Sequence, residues 1–204
     1  MKTYLIYAFA FFFYFYVART MVSYKKQDTF TQIILYWMIF CIFVGLLELV
    51  LFFKSNYISR LPHNKTTDFW LRDIASADIM HSHYWSHAWK EYGDGCDTRY
   101  LQSKNIVHWI EIIHALTSFI YIYIIYQFMT KKNSMLIGIL LVVISSIHLF
   151  NTLVYFVTFK KYLNKNPIKK TTKFWSYLSL NFFWILMPIL LLVKGGQMIS
   201  RANT

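Results

Sequence analysis

The chain has 204 residues, of which 57% are hydrophobic and 21% aromatic, and its formal net charge is +12. The apolar residues occur in long runs rather than in the scattered pattern of a soluble core, which indicates an integral membrane protein. The basic residues lie between those runs, with no basic helix and no base-stacking motif. Lipid head groups and membrane topology therefore explain the charge, and nucleic acid is not an expected partner.

Five of these runs approach or exceed the length of helix that crosses a bilayer, about 20 residues. We predict an all-α membrane protein with five transmembrane helices, over residues 3–18, 31–53, 105–129, 135–158 and 174–193. A cleaved signal peptide is the alternative interpretation of the first run. No Ala-x-Ala-like cleavage site follows that run, which favours a retained helix.

The length of the chain predicts a single membrane domain, residues 1–204, whose residues 1–30 hold the first helix and a short loop. Residues 54–104 are expected to form one long polar loop. With five helices, this loop, the N-terminus and residues 159–173 share one side of the membrane, which we call side A. The opposite side is side B.

Polar side chains fall inside the predicted helices at similar depths below side A. Counting 1.5 Å per residue places Glu48 and Glu111 roughly 8 to 9 Å into the bilayer. Other polar or indole side chains follow somewhat deeper, on three of the helices: His114, His148, Asn151, Asn181 and Trp184. Ionisable groups at such depths are costly and usually face a bundle interior or a cavity.

Helical spacing groups these residues on common faces. Glu111 and His114 are i, i+3 neighbours, and Tyr177, Asn181 and Trp184 lie along one stripe of the last predicted helix. For an isolated polar residue such as Asn151, hydrogen bonding between helices is the alternative explanation. Two carboxyl groups at one depth on adjacent helices favour a site, because one can stay protonated while the other is ionised.

We expect neither a metal nor a cofactor at this site. The run His108-x-x-Glu111-x-x-His114 contains one Glu-x-x-His motif, whereas a di-iron bundle uses two. His108 and His114 also lie about 120° apart around a helix. The two cysteines, Cys41 and Cys96, form neither a zinc pattern nor a disulfide framework.

The polar stretch before the third predicted helix supplies a family resemblance. Residues 89–92 (WKEY), followed by Gly95 and residues 97–100 (DTRY), resemble the loop motif of the emopamil-binding protein family, the sterol Δ8–Δ7 isomerases of the EXPERA fold. The similarity continues through both glutamates, Tyr155-Phe156 and Asn181-x-x-Trp184-x-x-x-Pro188, and covers residues 31–195.

The resemblance implies an enzyme that moves a sterol double bond from C8–C9 to C7–C8 by acid/base catalysis. The residues expected to act in catalysis are Glu48, Glu111, His114, Asn181 and Trp184. Those expected to bind the substrate are Trp89, Tyr92, Asn151, Tyr155 and Tyr177. The implied partner is a membrane sterol or another lipid, and the implied location is the endoplasmic reticulum.

The chain departs from the family pattern at three positions that concern proton transfer. Val44 stands where the family has a histidine one turn before the second-helix glutamate, and Asn151 stands where it has an aspartate. His114 replaces a small hydroxyl residue. The long segment near 60–85 is also an addition to the family pattern and suggests contact with another molecule.

These departures leave two hypotheses open. The chain is a sterol isomerase with an altered proton relay, or it is a non-catalytic subunit or lipid-binding element of a larger membrane complex, for example in the mitochondrial inner membrane. Other membrane protein chains or a second copy of this chain are the expected protein partners.

Overall fold

The computed structural model describes residues 2–23, 27–61, 81–102, 104–130, 134–165 and 181–202. These residues form six α-helices and one 3₁₀ turn, which confirms the all-α prediction. In chain order these are α1 (Thr3–Ser23), α2 (Thr29–Arg60), α3 (Ser82–Gly95), the 3₁₀ turn (Thr98–Leu101), α4 (Ile106–Thr130), α5 (Ser134–Lys165) and α6 (Phe183–Ala202).

Four helices in this part of the chain are long and apolar enough to cross a membrane. The candidate spans are Thr29–Arg60, Ile106–Thr130, Ser134–Lys161 and Phe183–Ala202. The first helix, α1, contains a shorter apolar stretch, Ala8–Met21. The structure thus supports an integral membrane protein with four such spans plus this shorter helix.

Two predicted boundaries on side A are wrong. Residues 54–60 continue α2 instead of opening a loop, and α3 occupies residues 82–95 of the supposed loop. Polar side chains mark the edge of the bilayer, whereas a helix continues as long as its backbone hydrogen bonds do. Most of the segment near 60–85 lies outside the described residues.

The last helix, predicted over 174–193, extends past its predicted end, and residues 174–180 lie outside the described part of the chain. The described part of α6 begins at Phe183 and continues to Ala202, past the charged side chain expected to end the helix. That side chain, Lys194, is buried and donates to the hydroxyl of Thr31 over 2.5 Å. Because α2 supplies a partner for the ammonium group, the charge does not need to leave the helix bundle.

The start of α2 and the end of α6 therefore meet on side B. Asp28 caps α2 by accepting from the backbone amide of Thr31 (2.9 Å) and from its hydroxyl (2.6 Å). These hydrogen bonds, chiefly the one from the Thr31 hydroxyl, lower the pKa of Asp28 to about 2. The Lys194 ammonium lies 3.6 Å from the same carboxylate, so one cluster fixes both helix ends.

Small residues set the spacing of the two most extensive helix pairs, α2 with α4 and α5 with α6. A methyl group on Gly45 would lie 3.3 Å from the Ala115 backbone of α4. Gly138 and Gly195 face each other across α5 and α6 in the same way, where a Cβ on either would approach the other's carbonyl oxygen to 2.8 Å. Small side chains of this kind let membrane helices pack closely. Gly45 thereby brings the next inward residue of α2, Glu48, against α4.

Candidate functional site

A cavity of about 270 Å³ lies between α2, α4, α5 and α6 beneath side A, close to the lower end of the size range of small-molecule sites. Aromatic and aliphatic side chains form much of its wall, and polar groups from every one of these helices reach into it. The residues that line it are Phe40, Val44, Glu48, Trp89, Tyr92, Tyr100, Ile110, Glu111, His114, His148, Asn151, Thr152, Tyr155, Asn181 and Trp184.

Glu48, Glu111 and His114 form one cluster at the centre of this cavity. His114 Nδ1 lies 2.5 Å from Glu48 Oε2, and both residues are almost fully buried, with 5% and 2% of their surface exposed. The carboxyl groups of Glu48 and Glu111 are close neighbours, with one oxygen of each within 4.8 Å of the other. Two ionised carboxylates this close in a buried site repel each other, which favours a proton on one of the two.

Tyr100, from the 3₁₀ turn, is the second group, after His114, that contacts the carboxyl pair. Its hydroxyl donates to Glu111 Oε1. Burial raises the pKa of Tyr100 well above its ordinary value, so the phenol keeps its proton. The tyrosine thus supplies a fixed hydrogen-bond donor to Glu111.

The side-A roof of the cavity is built from α3 and the 3₁₀ turn. The Trp89 indole donates to the Leu47 carbonyl over 2.7 Å, which ties α3 to α2 one residue before Glu48. Its ring stacks on Tyr100, with centroids 5.3 Å apart and planes inclined by 7°. The Tyr92 hydroxyl lies 3.4 Å from that of Tyr155 and also hydrogen-bonds Asn181.

An ion pair within the family-like loop motif holds this roof on α5. Arg99 donates through Nε and Nη2 to the Asp97 carboxylate, with distances of 2.7 to 3.0 Å. Tyr155 donates to the same carboxylate over 2.9 Å, and Arg99 Nη1 donates to Thr158 over 2.7 Å. Because the buried charges are paired and hydrogen-bonded, the motif positions Tyr100 above the cavity.

The α5 and α6 walls complete the site. His148 lies beside His114, with ring centroids 4.4 Å apart, and its Nε2 is 2.7 Å from the Thr117 hydroxyl. The Trp184 ring approaches the His114 ring at 4.7 Å in an edge-to-face arrangement. Asn151 is 8% exposed, and its side-chain nitrogen has no hydrogen-bond partner among the described residues.

The structure brings together nine of the ten side chains that sequence analysis placed at the site. The tenth, Tyr177, lies outside the described residues. Tyr100 belongs to the loop motif, but no role was predicted for it from the sequence. Its position just before α4, eleven residues before Glu111, was the available signal. Helical spacing predicted that His114 neighbours Glu111 on its own helix, whereas the hydrogen-bond contact of its ring crosses to Glu48 on α2.

The same cluster has the composition of a metal site, which sequence analysis did not expect. One potential ligand atom each from Glu48, Glu111 and His114 lies within 4.8 Å of the others. A divalent ion held there would displace the shared carboxyl proton and the contact between His114 and Glu48. The hydrogen-bonded cluster and the metal-bound cluster are therefore mutually exclusive, and a chelator distinguishes them.

Comparison with known proteins identifies the family. The family model for EXPERA, the expanded EBP superfamily, matches residues 84–195, more than half of the chain, from the roof to Gly195 of α6. The search of curated proteins and that of solved structures each found no match. Glu48 lies before the matched range and meets Glu111 and His114 only through the packing of α2. The matched range contains the roof motif and three walls of the cavity, and the chain belongs to the EXPERA family.

Proposed function

We propose that this protein is a membrane sterol isomerase that shifts a ring double bond from C8–C9 to C7–C8. The observation that carries the proposal is the cluster of Glu48, Glu111 and His114, three proton-transfer groups with atoms within 4.8 Å of one another inside a largely apolar cavity. An unactivated double bond needs a strong acid close by and a base a short distance away. Two carboxyl groups sharing one proton satisfy both needs.

The proposal assigns the proton to Glu111 before reaction. Tyr100 donates to Glu111, which carries the one proton of the carboxyl pair, and the Glu48 carboxyl lies within 4.8 Å. Glu48 is then ionised and also accepts from Nδ1–H of His114. His114 Nε2 is left as an acceptor, with the Ser118 hydroxyl 3.4 Å away. This assignment leaves each donor facing an acceptor and places one negative charge on Glu48.

Isomerisation then takes two proton transfers. Glu111 gives its proton to C9, and the electron pair of the C8–C9 double bond forms the new C9–H bond, leaving a cation at C8. Glu48, supported by His114, removes a proton from C7, and the electrons of that C–H bond form the C7–C8 double bond. The proton on Glu48 then returns to the neighbouring Glu111, whose carboxyl oxygen lies within 4.8 Å, and this transfer restores the starting state.

Trp184 is suited to stabilise the cation that forms between these transfers. Its indole lines the cavity and lies 4.7 Å from His114, between the acid/base cluster and the aromatic side chains of α2. An aromatic face attracts a desolvated cation by about 2 kcal/mol. Trp184 and the ionised Glu48 thus stabilise the cation at C8. Because this cation exists only during the reaction, its stabilisation lowers the barrier.

Replacement of Tyr100 by Phe tests the contact between the roof and the carboxyl pair. Loss of the hydrogen bond to Glu111 should slow isomerisation of a Δ8 sterol about tenfold, because the acid loses the donor that fixes its orientation. The rate is measured by gas chromatography of extracted sterols. Tyr14→Phe is the matched control, since that hydroxyl bonds the Tyr36 carbonyl on the outside of α2. Equal rates for both variants would remove Tyr100 from the mechanism.

The proposal also places α1 in the membrane as a fifth helix. Tyr14 anchors α1 to α2, and the large exposed side chains of α1 are mostly aromatic: Phe9, Phe11, Phe12, Phe13, Phe15 and Tyr16. Lipid chains cover such a surface. The resemblance to sterol isomerases favours the endoplasmic reticulum, and fractionation of cells expressing a tagged chain tests that location against mitochondria.

Expression in cells that lack sterol Δ8–Δ7 isomerase tests the activity itself. The chain should convert the accumulated Δ8 sterols to Δ7 sterols, detected by mass spectrometry. Sterols that stay unchanged although the protein is present in the membrane fraction would count against the enzyme.

A non-catalytic lipid-binding protein is the second candidate, favoured by Val44 at the position of the family histidine in this cavity. It predicts sterol binding without turnover and a stable assembly with other chains after purification in mild detergent. Recovery of the active protein as a monomer or homodimer would exclude it.

A further inference from the structure

His148 is a buried histidine that lines the cavity and takes no part in the proposed proton transfers. Both of its ring nitrogens meet hydroxyl groups of α4. Nε2 lies 2.7 Å from the Thr117 hydroxyl, and Nδ1 lies 3.3 Å from that of Tyr121. Because the two contacts act on different edges of the imidazole, rotation of this ring would break at least one of them. The neighbouring helix therefore fixes the orientation of His148.

The Thr117 hydroxyl also indicates which nitrogen of His148 carries the proton. Its oxygen lies 2.8 Å from the Ile113 carbonyl oxygen and 3.0 Å from that of His114, and the hydroxyl donates in that direction. A hydroxyl has a single proton, so its oxygen then accepts from Nε2–H of His148. Nδ1 is left as an acceptor for the Tyr121 hydroxyl. The neutral Nε2–H tautomer thus satisfies all of these contacts.

Three other helices contribute contacts to the ring of His114. Its Nδ1 faces Glu48 of α2 over 2.5 Å. The His148 ring of α5 lies 4.4 Å away with its plane inclined by 46°, and the Trp184 ring of α6 lies 4.7 Å away. His114 also borders the cavity, where open space would let its ring turn away from Glu48. Contacts with other rings, rather than a filled core, must therefore hold it in place.

His114, His148 and Thr117 form a closed unit across α4 and α5. Thr117 follows His114 by three residues, so both lie on one face of α4. His148 contacts the ring of the first and hydrogen-bonds the hydroxyl of the second. A rotation of the His114 ring toward α5 is thus opposed by a side chain that is itself tied to α4.

We infer that His148 is a positioning residue that keeps Nδ1 of His114 directed at Glu48. Thr117 and Tyr121 act through it, since they hold its ring in one orientation. With His114 turned away, the buried Glu48 carboxylate would lose its N–H donor, and an unpaired buried charge is costly. The effect on the reaction rests on the proposed function, whereas the orientation of His114 is a property of the ligand-free protein.

Nitrogen-15 NMR of the histidine side chains tests this orientation without any substrate. In purified full-length protein in lipid nanodiscs, His114 should show a protonated Nδ1 that is hydrogen-bonded to a carboxylate, and His148 a protonated Nε2. His148→Phe keeps an aromatic ring but loses both hydroxyl contacts, so the His114 signal should divide among several ring orientations. Thr117→Val should have the same effect, and Thr117→Ser, which keeps the hydroxyl, should restore the wild-type spectrum.

An unchanged His114 signal in His148→Phe would overturn the inference, as would a wild-type spectrum without the hydrogen-bonded Nδ1–H. Should His148→Phe fail to fold, the two Thr117 variants decide in the same way. Thr117→Val removes one hydroxyl group at nearly constant volume. An unchanged His114 signal in that variant would show that His148 does not need its anchor on α4, and the inference would fail.

Turnover of a Δ8 sterol gives a second readout, which separates positioning from substrate binding. His148→Phe should lower kcat about tenfold and leave KM within about twofold, because the substrate still fits the cavity while the base loses its aligned donor. Ser146→Ala, two residues earlier on α5, is the matched control. Its exposed hydroxyl donates to the Val142 carbonyl, and the variant should keep the wild-type rate.

The kinetic outcomes also distinguish this inference from the proposed function. A raised KM with an unchanged kcat in His148→Phe would show that His148 binds the substrate, which overturns the positioning role. A wild-type protein that turns over no sterol, but whose His114 signal depends on His148, would refute the proposed enzyme and support the positioning of His114.

Discussion

Glu111→Gln should abolish sterol isomerisation while leaving the fold intact. The amide occupies the same volume and still accepts from Tyr100, yet it has no proton to give to C9. General acid catalysis contributes about 10²- to 10⁴-fold, so the rate should fall by roughly 10³-fold or more. The measurement is turnover of a Δ8 sterol by purified protein, with binding of the same sterol and the Tm recorded in parallel.

The matched control for this change is Glu91→Gln. Glu91 undergoes the same chemical substitution on α3, is buried, and does not line the cavity. We expect it to keep the wild-type rate within about threefold, as is usual for changes away from a site. Glu111→Gln protein that binds sterol and turns it over at the wild-type rate would show that another group is the acid.

His114→Ser should cost about 10²-fold in rate, and the double variant Val44→His/His114→Ser should recover most of it. His114 Nδ1 lies 2.5 Å from Glu48 Oε2, so the imidazole N–H stabilises the negative charge of the carboxylate. In the family pattern the histidine stands at position 44 and a small hydroxyl residue at 114. Val44 and Glu48 are one turn apart on α2 and both line the cavity, so a histidine at 44 can reach the same carboxylate.

A second double variant shows whether recovery of the rate depends on the imidazole or only on the volume of the side chain at position 44. Val44→Leu/His114→Ser adds bulk at position 44 without an imidazole and should stay as slow as His114→Ser. If the leucine variant recovers as much activity as the histidine variant, the role of His114 is to fill space. If neither double variant recovers activity, a histidine at position 44 cannot replace His114. Proton transfer then runs through another group such as His148.

The apolar runs predicted the helices that build the site. Glu48, Glu111 and Asn181 lie inside three of those predicted runs, and the structure places all three in the wall of one cavity. The ends of helices were harder to predict, because Lys194 looks like a bilayer boundary until the hydroxyl of Thr31 is seen to accept from it. The helix α3 was missed because its charged residues hide the spacing of Trp85, Trp89 and Tyr92, which lie four and three residues apart.

The contacts within the site depend on helix packing that a single sequence does not specify. Whether His114 turns toward Glu111 on its own helix or Glu48 on the next is decided by the close approach of α2 and α4 at Gly45. The position of Tyr100 above Glu111 depends on the pairing of Asp97 with Arg99 and on Tyr155 of α5. Asp97, Arg99 and Tyr100 were visible in the loop motif, but their role in holding the roof follows from distances.

The most direct test of the acid/base cluster is a single-turnover reaction in heavy water. Purified protein in lipid nanodiscs, in excess over a Δ8 sterol and with EDTA present, is incubated and the sterol is analysed by mass spectrometry. Exchangeable protons on Glu111 are replaced by deuterium before the sterol binds, so the predicted product is a Δ7 sterol with one deuterium at C9, formed without any metal. Recovery of the Δ8 sterol with neither a shifted double bond nor deuterium would contradict proton transfer by the two glutamates. Product that forms only in a parallel reaction without EDTA would contradict it as well.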